Sequence, residues 1–131
     1  RGIAEQTAAM IRSLESPTPL ALFPEGTVSD GGQLLPFRPP LLSAFAPPPP
    51  HVAIRPVAID YGPVAREFGW PPGESGKVNF LKLLGRRGTS AVTLHFLPAL
   101  PSISDRKVLA RAAHDAVAAA LAPSGVAPAA L

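Results

Sequence analysis

A chain of 131 residues suffices for one domain or part of one, and 47% hydrophobic residues can build a core, so disorder is not the default. Twelve Lys and Arg against nine Asp and Glu leave a net charge of +3, a mild bias toward phosphates, lipid headgroups or nucleic acid. The absence of cysteine excludes disulfides, zinc-thiolate sites and thiol nucleophiles. No stretch reaches the roughly 18 to 20 apolar residues of a bilayer span, because the most apolar region, 39–54, is cut by Pro47 to Pro50 and His51. The chain opens with Arg1-Gly2 and passes straight into a helical pattern, so no signal peptide is expected. Without an initiator Met, it is expected to begin inside a longer chain.

The first element is an amphipathic helix over 3–14, with Ile3, Thr7, Met10, Ile11 and Leu14 on one side. After the Ser16-Pro17-Thr18-Pro19 break, Leu20 to Phe23 reads as a strand buried on both faces, ended by Pro24. Glu25 to Ser29 then lie in a loop at its carboxyl end. Asp30-Gly31-Gly32 is a turn, residues 41–46 form one or two helical turns, and Pro47 to Pro50 make a stiff connector. Residues 52–59 form a second strand, in which Pro56 cannot donate to a ladder and so marks an end, an edge or a bulge. A long loop over 61–76, a short basic helix over 77–84 and a third strand over 91–97 follow. Ser104 is the expected cap of a final helix with Val108, Ala112, Ala116, Val117, Ala120 and Leu121 on one stripe. The domain is expected over 1–122, with 123–131 a disordered tail. The order predicts an α/β fold, a mainly parallel or mixed sheet flanked by helices, with ligands beyond the carboxyl ends of the strands.

The stretch at that position is Phe23-Pro24-Glu25-Gly26-Thr27-Val28-Ser29. A glycine after the carboxylate permits close approach of a ligand to the backbone. Glu25 can accept a hydrogen bond from a hydroxyl, Thr27 and Ser29 can donate to anionic oxygens, and Arg38 can supply a charge to a phosphate. The residue types suit a polyol phosphate. They equally suit a structural turn in which Glu25 caps a neighbouring element.

The FPEGT stretch, with Ser29 close behind and Leu35-Pro36-Phe37-Arg38 after a glycine-rich turn, resembles the third sequence block of the glycerolipid acyltransferases, which acylate 1-acyl-glycerol-3-phosphate. Ile54 to Ile59 resembles the proline-centred fourth block. The resemblance implies an incomplete acyltransferase domain on the cytoplasmic face of a membrane, with peripheral membrane contact and no nucleic-acid partner. It implies no cofactor, with acyl-CoA or acyl-carrier protein as co-substrate. It also implies that Glu25 and Gly26 meet the acceptor, that Phe23, Pro24, Thr27 and Ser29 support them, that Arg38 contacts its phosphate and that Pro56 shapes the acyl-donor side. Val28 stands where the family usually has Arg, which removes one phosphate partner and suggests a subgroup with another acceptor, of which the lyso-ornithine lipid acyltransferases are one example.

Acyl transfer needs a base for the acceptor hydroxyl, and the family uses a His with an Asp beyond it in a His-x4-Asp block. Five positions after His51, His95 and His114 stand Pro56, Leu100 and Ala119, so no histidine here fits. His114 is expected to face out of the last helix, beside an Asp115 that cannot face it. No catalytic residue is therefore expected in this chain. The alternative is a lipid-phosphate binding remnant without the base. The segment from Lys77 to Arg87, with four basic and no acidic residues, suits an anionic lipid interface, or a surface helix with its apolar side in the core.

Overall fold

The computed structural model describes residues 3–129. Helix α1 (Ile3–Ser13) arises where the sequence predicts it. Met10 and Leu14 pack on the core, whereas Ile11 is exposed and the side chains of Ile3 and Thr7, like Arg1, lie outside the described residues. Residues 20–23 do not form the expected strand. They carry no regular structure and join no ladder, and Leu20 and Phe23 are exposed, because no strand among the described residues lies alongside to satisfy their backbone.

Strand β1 (Gln33–Leu34) pairs in parallel with β4 (Ala127–Pro128), with Gln33 opposite Ala127. Strands β2 (Val57–Asp60) and β3 (Thr93–Phe96) form a separate antiparallel pair, with Ala58 opposite His95. Residues 52–56 stay outside the ladder as regular strand, although Ile54 accepts from the Leu100 N–H at 2.9 Å and Pro56 from that of Leu97 at 3.1 Å. Pro39–Phe45 is a 3-10 segment with its prolines at the start, where a missing N–H costs nothing. The proline run beyond it closes in a turn, Val52 donating to the Pro49 carbonyl at 2.9 Å, rather than extending as a connector.

The expected long loop over 61–76 holds a 3-10 turn (Gly62–Val64) and a short helix, α2 (Ala65–Phe68). Helix α3 (Gly76–Leu84) follows. Helix α4 (Arg106–Leu121) is capped by Asp105, not Ser104: its carboxylate accepts from the Lys107 N–H at 2.6 Å and that of Val108 at 3.2 Å, and its charge complements the helix dipole. The buried stripe of α4 is Leu109, Ala113, Val117 and Leu121 with Ala110, while Val108 is exposed. The stripe lies one residue later than the sequence spacing predicts, because alanines populate both faces and blur the periodicity.

Two apolar clusters make the core. Leu42, Ala44, Phe45, Leu109 and Ala110 form one, with Met10, Leu22, Phe37 and Ile54 against it. Leu34, Ala58, Val117 and Leu121 form the other, again with Phe37. The segment after Pro123, expected to be disordered, is tied down as far as the described chain runs. Ala122–Ser124 makes a 3-10 turn, the Ser124 hydroxyl donates to Asp60, and β4 joins β1. Among the described residues no helix is long and apolar enough to cross a membrane.

Candidate functional site

Residues 24–38 form a loop closed on itself. The Arg38 N–H donates to the Pro24 carbonyl at 2.8 Å, and the Leu35 N–H to Glu25 Oε2 at 3.1 Å. Leu22, Leu34 and Phe37 fasten its base into the two core clusters. The loop thereby brings Glu25 and Arg38, thirteen residues apart in sequence, to one place.

Gly26 explains why the motif needs glycine. Its φ of +64° lies in the left-handed region, and a Cβ there would stand 3.0 Å from Leu41 Cδ1 and 3.1 Å from Arg38 Cδ. The Arg38 stem thus crosses directly over Gly26, with Nε 3.4 Å from that position. The glycine is required by the fold itself, whatever a ligand adds.

Glu25 is half-buried, and burial pushes its carboxyl above the usual value. The Leu35 N–H and the charge of His114 pull the other way. His114 is therefore a neighbour of the site, contrary to the expectation that it faces outward. Its side chain is 15% exposed, its ring meets Phe37 edge-on at 5.2 Å, its Nδ1 is 3.6 Å from Asp115 Oδ1, and its Nε2 is buried without a hydrogen-bond partner among the described residues. Register would have revealed it: one residue later, the α4 stripe carries His114 four positions after buried Ala110 and three before buried Val117.

The other expected site residues divide. Thr27 and Val28 are exposed on the loop, Phe23 is 72% exposed at its entry, and Pro24 supplies the closing carbonyl. Ser29 is occupied internally, its Oγ accepting from the Gly31 N–H at 3.3 Å and its carbonyl from the Trp70 N–H at 2.7 Å. Pro56 is buried just before β2, beside the β2–β3 pair rather than in this loop.

Two open surface depressions lie elsewhere. One, of about 420 Å³, is lined by Ser43, Ala46 and 104–107; the other, of about 340 Å³, by 60–64, Arg86, 89–91 and Thr93. Neither contains a residue of the 24–38 loop, and the first is largely the capped end of α4. In the second, Asp60 accepts from Ser124 and from the Gly62 N–H, with His95 Nε2 at 3.7 Å, and the Ser124 hydroxyl does most to hold its carboxyl below the usual range. That cluster binds the chain end to β2. The loop, with its half-buried carboxylate and the Arg38 stem over Gly26, remains the better candidate site.

No family model matches the chain, and no solved structure matches it. It is similar to two curated proteins named lyso-ornithine lipid O-acyltransferase. The one from Rhodobacter capsulatus is 34% identical over 109 residues, covering 75% of this chain and 38% of the relative. The one from Brucella abortus is 33% identical over 132 aligned residues, covering 88% of this chain and 49% of the relative. The chain therefore spans less than half the length of either. The two names support an acyltransferase relationship.

Proposed function

We propose that this chain supplies the acceptor-binding part of an O-acyltransferase that moves a fatty acyl group from acyl-CoA or acyl-carrier protein to a lysolipid hydroxyl, with lyso-ornithine lipid as the acceptor. In that reaction the acceptor oxygen attacks the thioester carbonyl carbon, the carbon–sulfur bond breaks, and the hydroxyl proton passes to a base. The reading puts the protein at the cytoplasmic face of a membrane, where such an acceptor resides.

The observation that carries the proposal is the Glu25–Gly26–Arg38 arrangement: the loop closure holds the Glu25 carboxylate through the Leu35 N–H and brings the Arg38 backbone and side-chain stem against Pro24 and Gly26. An ornithine headgroup offers a carboxylate to Arg38 and an ammonium to Glu25. The phosphate of 1-acyl-glycerol-3-phosphate would meet a single arginine beside a carboxylate, with Val28 supplying no second cation. The relatives' names point the same way.

Trp70, the single tryptophan, donates its backbone N–H to Ser29 and so reports on the loop. Titration with lyso-ornithine lipid below its micelle concentration is expected to change its fluorescence saturably, more tightly than 1-acyl-glycerol-3-phosphate does. Arg38→Gln and Glu25→Gln are each expected to weaken binding by about tenfold, the worth of one charge-assisted hydrogen bond. Unchanged affinity in both variants overturns the site. A lipid-binding module without chemistry predicts the same titration, so the class is decided separately: Glu25→Ala in an intact enzyme containing this chain abolishes acyl transfer if the chain serves catalysis.

A further inference from the structure

Helix α3 is built inside out. Ser75 caps it, accepting from the Val78 N–H at 3.3 Å. Its one buried residue is polar: Asn79, 6% exposed, donates its Nδ2 to the Gly69 carbonyl at 3.0 Å, with half-buried Leu83 four residues on. Val78, Phe80, Leu81 and Leu84 lie on the opposite arc and are 55 to 65% exposed. No residue of α3 belongs to either core cluster. From Ser75 to Ser104 the sequence contains no Asp or Glu, and Lys77 and Arg87 stand exposed beside the apolar arc. Lys82 and Arg86 are engaged with Glu74 and Glu67.

The helix is also strapped to the candidate site. Gly69 accepts from both Asn79 and Lys82, the latter at 3.1 Å. The same glycine lies so close to the loop that a Cβ would stand 2.1 Å from the Asp30 carbonyl oxygen, and the next residue, Trp70, donates to Ser29. Residues 69–70 thus join α3 to the far end of the FPEGTVS stretch.

We propose that α3 is a bilayer-docking element: its Val78, Phe80, Leu81 and Leu84 enter the interface of an anionic membrane, Lys77 and Arg87 rest on the headgroups, and the 69–70 strap holds the acceptor loop at a fixed place relative to that surface. The proposal rests on the lipid-acceptor reading for the function of the coupling, while the docking itself rests on α3. An apolar arc flanked by cations and free of carboxylates matches an anionic lipid surface. It matches a second copy of the chain poorly, because two such arcs would bring Lys77 and Arg87 against their equivalents.

The test is co-sedimentation of the chain with phosphatidylcholine vesicles, with and without phosphatidylglycerol. Binding is expected to require phosphatidylglycerol. Leu81→Gln with Leu84→Gln is expected to lower partition roughly tenfold or more, and Lys77→Gln with Arg87→Gln about fivefold for each charge. All four positions are exposed, so far-UV circular dichroism should be unchanged. Partition equal to that of the native chain in both variants overturns the proposal. So does the leucine variant dissociating a dimer in light scattering while vesicle binding persists, which would assign the arc to self-association. The monomeric lipid titration by Trp70 fluorescence is expected to survive in every variant. If that titration fails while vesicle partition stands, the acceptor assignment falls and the docking element does not.

Discussion

The 24–38 loop and helix α3 are joined by two residues, yet they are held by opposite means. The loop has no regular structure beyond β1, but its base is built into both apolar clusters, and its Glu25 carboxylate and Pro24 carbonyl accept from N–H groups of the loop itself. Helix α3 is regular, but it shares in neither cluster and is tied down chiefly through polar side chains that reach the Gly69 carbonyl. Regularity and stability are therefore separate properties here. The irregular segment has the core's stability behind it, whereas the helix can open by itself at lower free energy.

The strongest way to break that contrast is Leu109→Ala. Leu109 is fully buried in the cluster that receives Leu22 and Phe37, so the cavity is expected to cost about 2–5 kcal/mol of global stability. Native-state hydrogen exchange should show the amides of Leu35 and Arg38 losing protection by that amount. Those of α3, which exchange through local opening, should hardly move. Equal losses in both regions would mean that α3 belongs to the same cooperative unit.

A smaller and more local effect is expected from Gly26→Val. A left-handed backbone costs a substituted residue about 1–2 kcal/mol, and the new side chain must also displace Leu41 or the Arg38 stem. Lysolipid binding should be lost with Arg38 displaced, while vesicle partition through α3 should persist. Loss of both would show the strap transmitting loop distortion to the helix. Because the backbone already demands glycine, this variant tests the integrity of the loop rather than ligand approach, a separation the sequence could not make.

What the sequence disclosed follows the same division. The loop at FPEGT and the turn at Asp30-Gly31-Gly32 were legible because each depends on residues near in sequence and on conformations that glycine and proline impose locally. Helices α1, α3 and α4 were legible from their spacing. Residues 20–23 were not, since an apolar run can be a strand only if a neighbour pairs with it. The facing of α3 was hidden because Asn79 is buried by one tertiary hydrogen bond that no periodicity announces. His114 was misplaced by a one-residue error in register on an alanine-rich helix, enough to turn an inward ring outward.

The smallest expected effect sharpens the comparison through pH. Burial raises the Glu25 carboxyl above its unfolded value, so the folded loop binds that proton more tightly than the unfolded chain does. Stability from this group is then fully present below the unfolded pKa and is lost as pH rises through the folded one. Ionised Glu25 thus strains the loop at neutral pH. Glu25→Gln keeps an oxygen for the Leu35 N–H and should gain on the native chain at pH 7, with the difference closing as pH falls through the carboxylate range. Asp60 behaves in the reverse sense. Its carboxyl is held low, first by Ser124 and then by the Gly62 N–H, so its contribution is present above the unfolded pKa and disappears as pH falls. Urea midpoints for Glu25→Gln and Asp60→Asn between about pH 3 and pH 7, the range in which carboxyl groups titrate, should therefore diverge from the native chain with opposite slopes. Parallel slopes would mean that Glu25 is not desolvated in the folded loop. Under the proposed function, a carboxylate kept half out of water at a cost to stability would gain from an ammonium or hydroxyl ligand, which supplies the partner that water no longer does.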